Sequence, residues 1–324
     1  MLDAITVGEV LIDFTPAGSN EYGFQSFSAN PGGAPANVMA ALAKWGRKSG
    51  FIGKVGKDTF GEFLQQVLEQ AGVDTRGLVL SEPYRTTLAF VHLQPDGDRS
   101  FSFYRSPGAD MMLTPEEVRE ELVAEAGLLH FGSVSLTDEP SASATLHAVR
   151  LARSLGKLVS YDPNLRPALW RSLDEAKLRI REGLELAHIV KLSEEELEFL
   201  TGEQNLEAGT EQLYMEFKTP IILVTLGAEG SFFRLGGECR RVPGRAVQAV
   251  DTTGAGDCYL AGFLLKLMEW GGPVEQLDAA AAQSMAAFAN AAGALITLHK
   301  GAIPAIPQLA DIEAFLKEQS GNGV

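Results

Sequence analysis

Cysteine is almost missing: Cys239 and Cys258 are the only two in 324 residues, and their spacing forms neither a metal-binding nor a redox pair. A disulfide-stapled scaffold is thereby excluded, and a reducing cytoplasmic compartment is the simplest expectation. Positive charge is scarce as well, with 27 Lys and Arg against 42 Asp and Glu and a net charge of −15. So acidic a chain is a poor partner for nucleic acid, and any phosphate it handles has to be held by a locally built site. The histidines, His92, His130, His147, His188 and His299, are scattered and show no metal-ligand spacing. No apolar run reads as reaching the roughly 18–20 residues of a membrane span. The opening residues, 1–7, read as a strand and lack the basic head of a signal peptide.

What is present suits one large core, or one core with a small appendage: 45% of residues are hydrophobic and 21% charged. Residues 4–10 read as a first core strand, with Asp13 just past its end, where open α/β sheets place ligands. Residues 37–45 read as a helix closed by Gly46, 50–55 as a strand, and 56–70 as a helix. Residues 86–93 and 100–104 read as paired strands around the turn signal Asp96-Gly97. Strands at 128–131 and 158–161 with a helix at 141–155 between them are the mark of a parallel sheet with covered faces. Further strands are expected at 189–192, 221–226 and 246–250, and a frayed end at 319–324.

The most informative stretch is Asp251-Thr252-Thr253-Gly254-Ala255-Gly256-Asp257, which runs into an apolar helix over 258–270. Gly254 and Gly256 permit a tight turn and close approach of a ligand, so backbone N–H groups and the positive end of a helix dipole converge on one point. The same field favours an ionised Asp257, which beside an anion pocket can take the proton of an attacking hydroxyl. By itself the pattern is equally an N-capping Asp beside a glycine-rich turn.

Read together with Asn30-Pro31-Gly32-Gly33-Ala34-Pro35-Ala36-Asn37, the stretch resembles the paired signatures of the ribokinase-like (PfkB-type) carbohydrate kinases. Within the family the wording is most similar to that of fructokinases, in residues 103–111, 160–166, 191–196 and 288–295. The resemblance implies a doubly wound, mostly parallel central sheet flanked by helices, in a single domain over 1–324. A small β-sheet lid is expected from about 13–29 and 86–105. It implies ATP-dependent phosphorylation of a sugar, D-fructose foremost, with Asp257 as general base and the amides of Gly254, Ala255 and Gly256 as anion hole. The sugar falls to Asp13, Gly32, Gly33, Asn37 and Arg166, with Phe90, Phe103 and Arg105 as lid contacts. ATP falls to Lys191, Thr225, Gly227, Gly230, Gly256 and Asn290. Glu194 is the implied Mg²⁺ residue; Lys191 stands where many relatives have the Asn of an Asn-x-x-Glu motif, and a Lys cannot ligate a metal. Asp251, Thr253 and Gly301 are the implied seat of a monovalent cation such as K⁺. The lid face can also serve a homodimer. The competing readings are a ketodeoxygluconate, ribose or nucleoside kinase, and a catalytically silent sugar-sensing relative.

Overall fold

The computed structural model describes residues 1–93 and 99–318. The chain opens with β1 (Leu2–Val7), leaves the body in β2 (Leu11–Ser19) and β3 (Gln25–Gly32), and returns through α1 (Ala34–Lys44), β4 (Ser49–Gly56), α2 (Thr59–Gln70) and β5 (Asp74–Ser81). A second excursion forms β6 (Leu88–Leu93) and β7 (Arg99–Tyr104). Next come α3 (Glu120–Glu125), β8 (Ala126–Gly132), α4 (Ser141–Ser154), β9 (Leu158–Asp162), α5 (Leu173–Leu186) and β10 (Ile189–Ser193). The chain continues with α6 (Glu194–Thr201), α7 (Leu206–Phe217), β11 (Ile221–Thr225), β12 (Gly230–Leu235) and β13 (Glu238–Pro243), then α8 (Ala255–Trp270), α9 (Ala279–Ile296) and α10 (Leu309–Glu318).

The main sheet runs β5-β4-β1-β8-β9-β10-β11-β12-β13, parallel from β5 to β11 and antiparallel over the last two pairings. Winding proceeds outward from β1 in both directions, so the order reverses between β1 and β8. The carboxyl ends of those strands are where such a sheet opens a crevice. Alternating side chains feed two cores. Ile189 and Leu223 face one side with α1, α8 and α9, while Val190 and Val224 face the other with α4 to α7. Among the described residues, α9 is long and apolar enough by length and composition to cross a membrane, contrary to the expectation from sequence. It lies instead in the core, with Ala282, Ala286, Ala289 and Ala292 buried.

The lid is a four-stranded sheet, β3-β2-β6-β7, in which β2 and β6 are parallel and the outer pairs antiparallel. It begins earlier than expected. The first core strand stops at Val7, and Asp13 belongs to the lid, opposite Asn30 on one side and Ala89 on the other. The strand expected at 246–250 does not form: Val250 N and Asp251 N bond only to Thr297 O, so the run crosses over as a loop. The Asp96-Gly97 turn and the frayed end at 319–324 lie outside the described residues.

Candidate active site

Gly254 stands at φ 76°, a left-handed conformation that glycine adopts without penalty, and caps α8 with no side-chain bond. Cys258 N makes the first helical bond, to Gly254 O, so the amides ahead of it have no intrahelical acceptor. The Ala255 amide turns back to Thr252 O at 3.2 Å, so the open tip rests more on its neighbours than on Ala255. Gly256 lies against β10: a Cβ there would stand 2.9 Å from Lys191 Nζ.

Asp257, in the first turn of α8, is buried. Its Oδ2 accepts from Asn37 Nδ2 at 2.8 Å and its Oδ1 from Asn164 Nδ2 at 3.4 Å. The helix tip does not dominate its titration as the sequence suggests. Burial, and next the Asp162 charge, raise the Asp257 pKa to about 6 against the pull of Asn37, Lys191 and Arg166. It therefore remains mostly ionised at neutral pH. Lys191 donates to Asp162 Oδ2 at 3.0 Å. Burial works against its ammonium, but Asp162, Glu196 and Asp257 outweigh that and hold its pKa above the ordinary value.

Around this centre lies a cavity of about 330 Å³ whose lining includes Glu9, Asp13, Gly33, Asn37, Arg166 and Asp257. Gly32 does not line it, but a Cβ there would fall 2.0 Å from Asp13 Oδ2, so a glycine is what admits that carboxylate. Gly33 caps α1 at φ 111° and abuts the Glu9 carbonyl, where a Cβ would fall 2.5 Å away. Asn37, thus set in the first turn of α1, lines the same cavity and has a buried Oδ1 without a hydrogen-bond partner. Burial lifts Asp13 to about 6, with Arg166 opposing and Asp257 adding to the shift.

A second cavity, about 350 Å³, is lined by Thr225, Gly227, Gly230 and Asn290 among others, and shares Thr252, Ala255 and Gly256 with the first. Asn290 Nδ2 ties α9 to the Val242 and Pro243 carbonyls at 3.1 and 3.3 Å. The two cavities thus meet at the tip of α8. One is rich in hydroxyl-binding groups, while the other is mostly apolar and bounded by glycine turns, as a flat heterocycle with a phosphate tail requires.

Three expected contacts lie elsewhere. Phe90 is on the far lid face, stacked on Phe14 at 4.7 Å, because strand alternation turns Ala89, Val91 and Phe103 inward instead. Arg105 is buried in the lid's root, where Nε binds Asp110 Oδ2 at 2.7 Å, Nη1 binds Thr137 Oγ1 at 2.8 Å and Nη2 binds Val134 O at 3.1 Å. Glu194 is exposed at the start of α6 and lines neither cavity. Glu196, two residues further, is the buried carboxylate: it accepts from Leu165 N at 2.7 Å and Ser193 N at 2.8 Å, the latter in a capping box. Among the described residues no group of three or more His, Cys, Asp or Glu is placed to hold a metal ion. Asp251 Oδ1 accepts from Thr253 N and Oγ1 at 3.0 and 2.7 Å, and Oδ2 from Gly301 N at 3.0 Å, which joins the three residues in one staple. Sequence reasoning missed Glu9 and passed over Asn164, although the run Asp162-Pro163-Asn164 at a strand end was a visible signal. Asn164 sits at φ 49°, which Asn tolerates better than most residues.

The sequence profile of the pfkB family carbohydrate kinases matches residues 1–309. Fructokinase-1 of Zea mays is 43% identical over 316 residues, covering 97% of both chains. Fructokinase-1 of Oryza sativa subsp. japonica is 43% identical over 310 residues and 95% of both. The structure of a Xylella fastidiosa fructokinase with bound ATP superposes with a TM-score of 0.88 at 34% identity, over 99% of this chain and 100% of that one. A Vibrio cholerae O395 fructokinase in its fructose-, ADP- and calcium-bound form gives 0.86 at 36% identity, over 97% and 99%.

Proposed function

The chain belongs to the pfkB family of carbohydrate kinases, and from that premise we propose that it is an ATP-dependent fructokinase that converts D-fructose to fructose 6-phosphate. The observation that carries the reading is the meeting of two cavities at the amide tip of α8, with the Asp257 carboxylate beside it. Fructose occupies the first cavity. Asp13, Asn37 and Arg166 orient it, so that attack is effectively intramolecular. ATP occupies the second and brings its γ-phosphate to the shared wall at Thr252 and Gly256. The sugar hydroxyl oxygen bonds to the γ-phosphorus, the bond to the bridging oxygen breaks, ADP leaves, and the hydroxyl proton passes to Asp257. The α8 amides and Lys191 face the charge on the transferring phosphoryl.

Bound Mg²⁺ would supply charge neutralisation to the ATP phosphates; among the described residues no group of three or more His, Cys, Asp or Glu is placed to hold a metal ion, which fits an ion that would enter with the nucleotide. The Asp251 carboxylate, between the 251–253 loop and Gly301, is the hard oxygen donor a monovalent cation such as K⁺ takes. Fructose is favoured over an acidic sugar acid because Arg105 is committed to Asp110, while Glu9 and Asp13 add carboxyls to the cavity. We take residues 1–324 as one catalytic unit with its lid, working in the reducing cytoplasm. Its partners are the sugar and ATP, with neither nucleic acid nor membrane, and a second copy docks at the outer lid face.

Steady-state rates with fructose, ribose, ketodeoxygluconate and adenosine under saturating MgATP test the assignment, and fructose is expected to give the highest kcat/KM. In Asp257→Asn, kcat on fructose should fall about 10²–10⁴-fold with KM values nearly unchanged. A variant turning over at the wild-type rate refutes the base.

A further inference from the structure

Glu9 lies in the short link between β1 and the lid strand β2 and is 4% exposed. Glu9 is among the residues that line the sugar cavity, and its Oε2 is buried with no hydrogen-bond partner. Buried carboxyl oxygens are rarely left so, because the lost hydration is not replaced. The cations nearest to it do not repair the loss. Arg105 points its guanidinium at Asp110, Thr137 and the Val134 carbonyl, and the other oxygen of Asp110 accepts from Thr87 Oγ1. Glu9 interacts with Asp110, Arg105 and Arg166, whereas Asp257 interacts with Asp162, Lys191 and Arg166. The two acids line the same cavity and both feel Arg166, but otherwise have different charged neighbours.

We propose that Glu9 is a substrate-contacting specificity residue, whose Oε2 hydrogen-bonds a hydroxyl at the end of the sugar remote from the phosphoryl acceptor. This rests on the fructokinase reading, in which the acceptor is the C6 hydroxyl at Asp257. The remote hydroxyls are then those on C1 and C2. Burial raises the Glu9 carboxyl to about 7, so near neutrality it can donate to a sugar oxygen as well as accept from a hydroxyl. Gly33 packs against the Glu9 carbonyl, so the turn that presents Asn37 also fixes the backbone of Glu9. A site built to bond a hydroxyl discriminates strongly against an analogue lacking it, because its own polar group is then left unpaired.

The test compares wild type with Glu9→Gln and Glu9→Ala on fructose, 1-deoxyfructose and 2,5-anhydro-D-mannitol, with KM for ATP and the melting temperature measured in parallel. The Gln variant keeps the side-chain volume, so it serves if the Ala variant fails to fold. The expected result is a KM for fructose raised about 10–100-fold, the range of a hydrogen bond to a charged group, with KM for ATP within twofold. The penalty should shrink below threefold on whichever analogue lacks the contacted hydroxyl. A folded variant with unchanged fructose KM overturns the proposal. So does an equal penalty on all three sugars accompanied by a rise in KM for ATP, which marks a purely structural residue. If wild type ignores fructose and phosphorylates another sugar, the fructose reading falls alone, and the same comparison on that sugar and its deoxy analogues decides Glu9.

Discussion

Asp257 must be ionised to accept a proton, and its raised pKa of about 6 places the loss of that form just below neutrality. We expect kcat on fructose, measured at saturating sugar, to fall about tenfold per pH unit well below about pH 6, as a pH–rate profile with a pH-stable coupling system would show. Glu9 carries a cost of the same origin but a different readout. Its folded pKa, about 7, lies above the ordinary 4.5, so the folded state binds the proton more tightly than the unfolded chain. Stability from this group is full below about pH 4.5 and is lost as pH rises toward 7. Glu9→Gln, which cannot ionise, should therefore raise unfolding free energy by up to about 3 kcal/mol at pH 8, with the gain vanishing by about pH 4. Urea melts at the two pH values check it; equal gains at both refute the linkage.

At the level of elements, the lid is pinned to the body by polar contacts at its root. Arg105 follows β7 directly, and its ion pair with Asp110 is buried, with side chains 3% and 2% exposed. On the other side Asp58 caps α2 through Gly61 N and also accepts from Thr86 N, just before β6. Removing one partner of a buried pair leaves the other charge stranded. Arg105→Ala is expected to cost about 3–5 kcal/mol in chemical denaturation. An exposed sugar contact would instead raise KM at nearly constant stability.

At the level of the whole molecule, the lid presents an aromatic outer face. Phe14, Phe27, Phe90 and Tyr104 form a chain of ring contacts at 4.7 to 5.5 Å, and Tyr22, Phe24 and Tyr104 are 75%, 70% and 67% exposed. Apolar surface of this kind on a sheet invites a partner. Light scattering should find a dimer in wild type and a monomer in the double variant Phe24→Ser, Tyr104→Ser; a wild-type monomer at assay concentration removes the proposed interface. The charge of −15 requires that phosphate attraction come from the α8 tip and Lys191, not from the global field.

Much of this was readable along the chain because it depends on short-range physics. Apolar periodicity marked β4, β8, β9, β11 and the helices α2 and α4, while α3, α5 and α7 went unread, and the left-handed glycines at 33 and 254 were implied by turns that tolerate little else. The run 246–250 looked like a strand by the same local test and is not one, because a strand exists only where another edge is free to pair with it. Phe90 and Phe103 look equivalent in sequence; alternation across the lid sends one outward and one into the cavity. Arg105 looked like a ligand until Asp110 and Thr137 closed around it. Sequence alone determined the α8 tip, its acid and the family they belong to. Tertiary structure decided the Asn37–Asp257 bond across 220 residues, the unpartnered Oε2 of Glu9 and the raised titration of Asp257. Those depend on which distant groups share one small desolvated volume, and no local pattern records that.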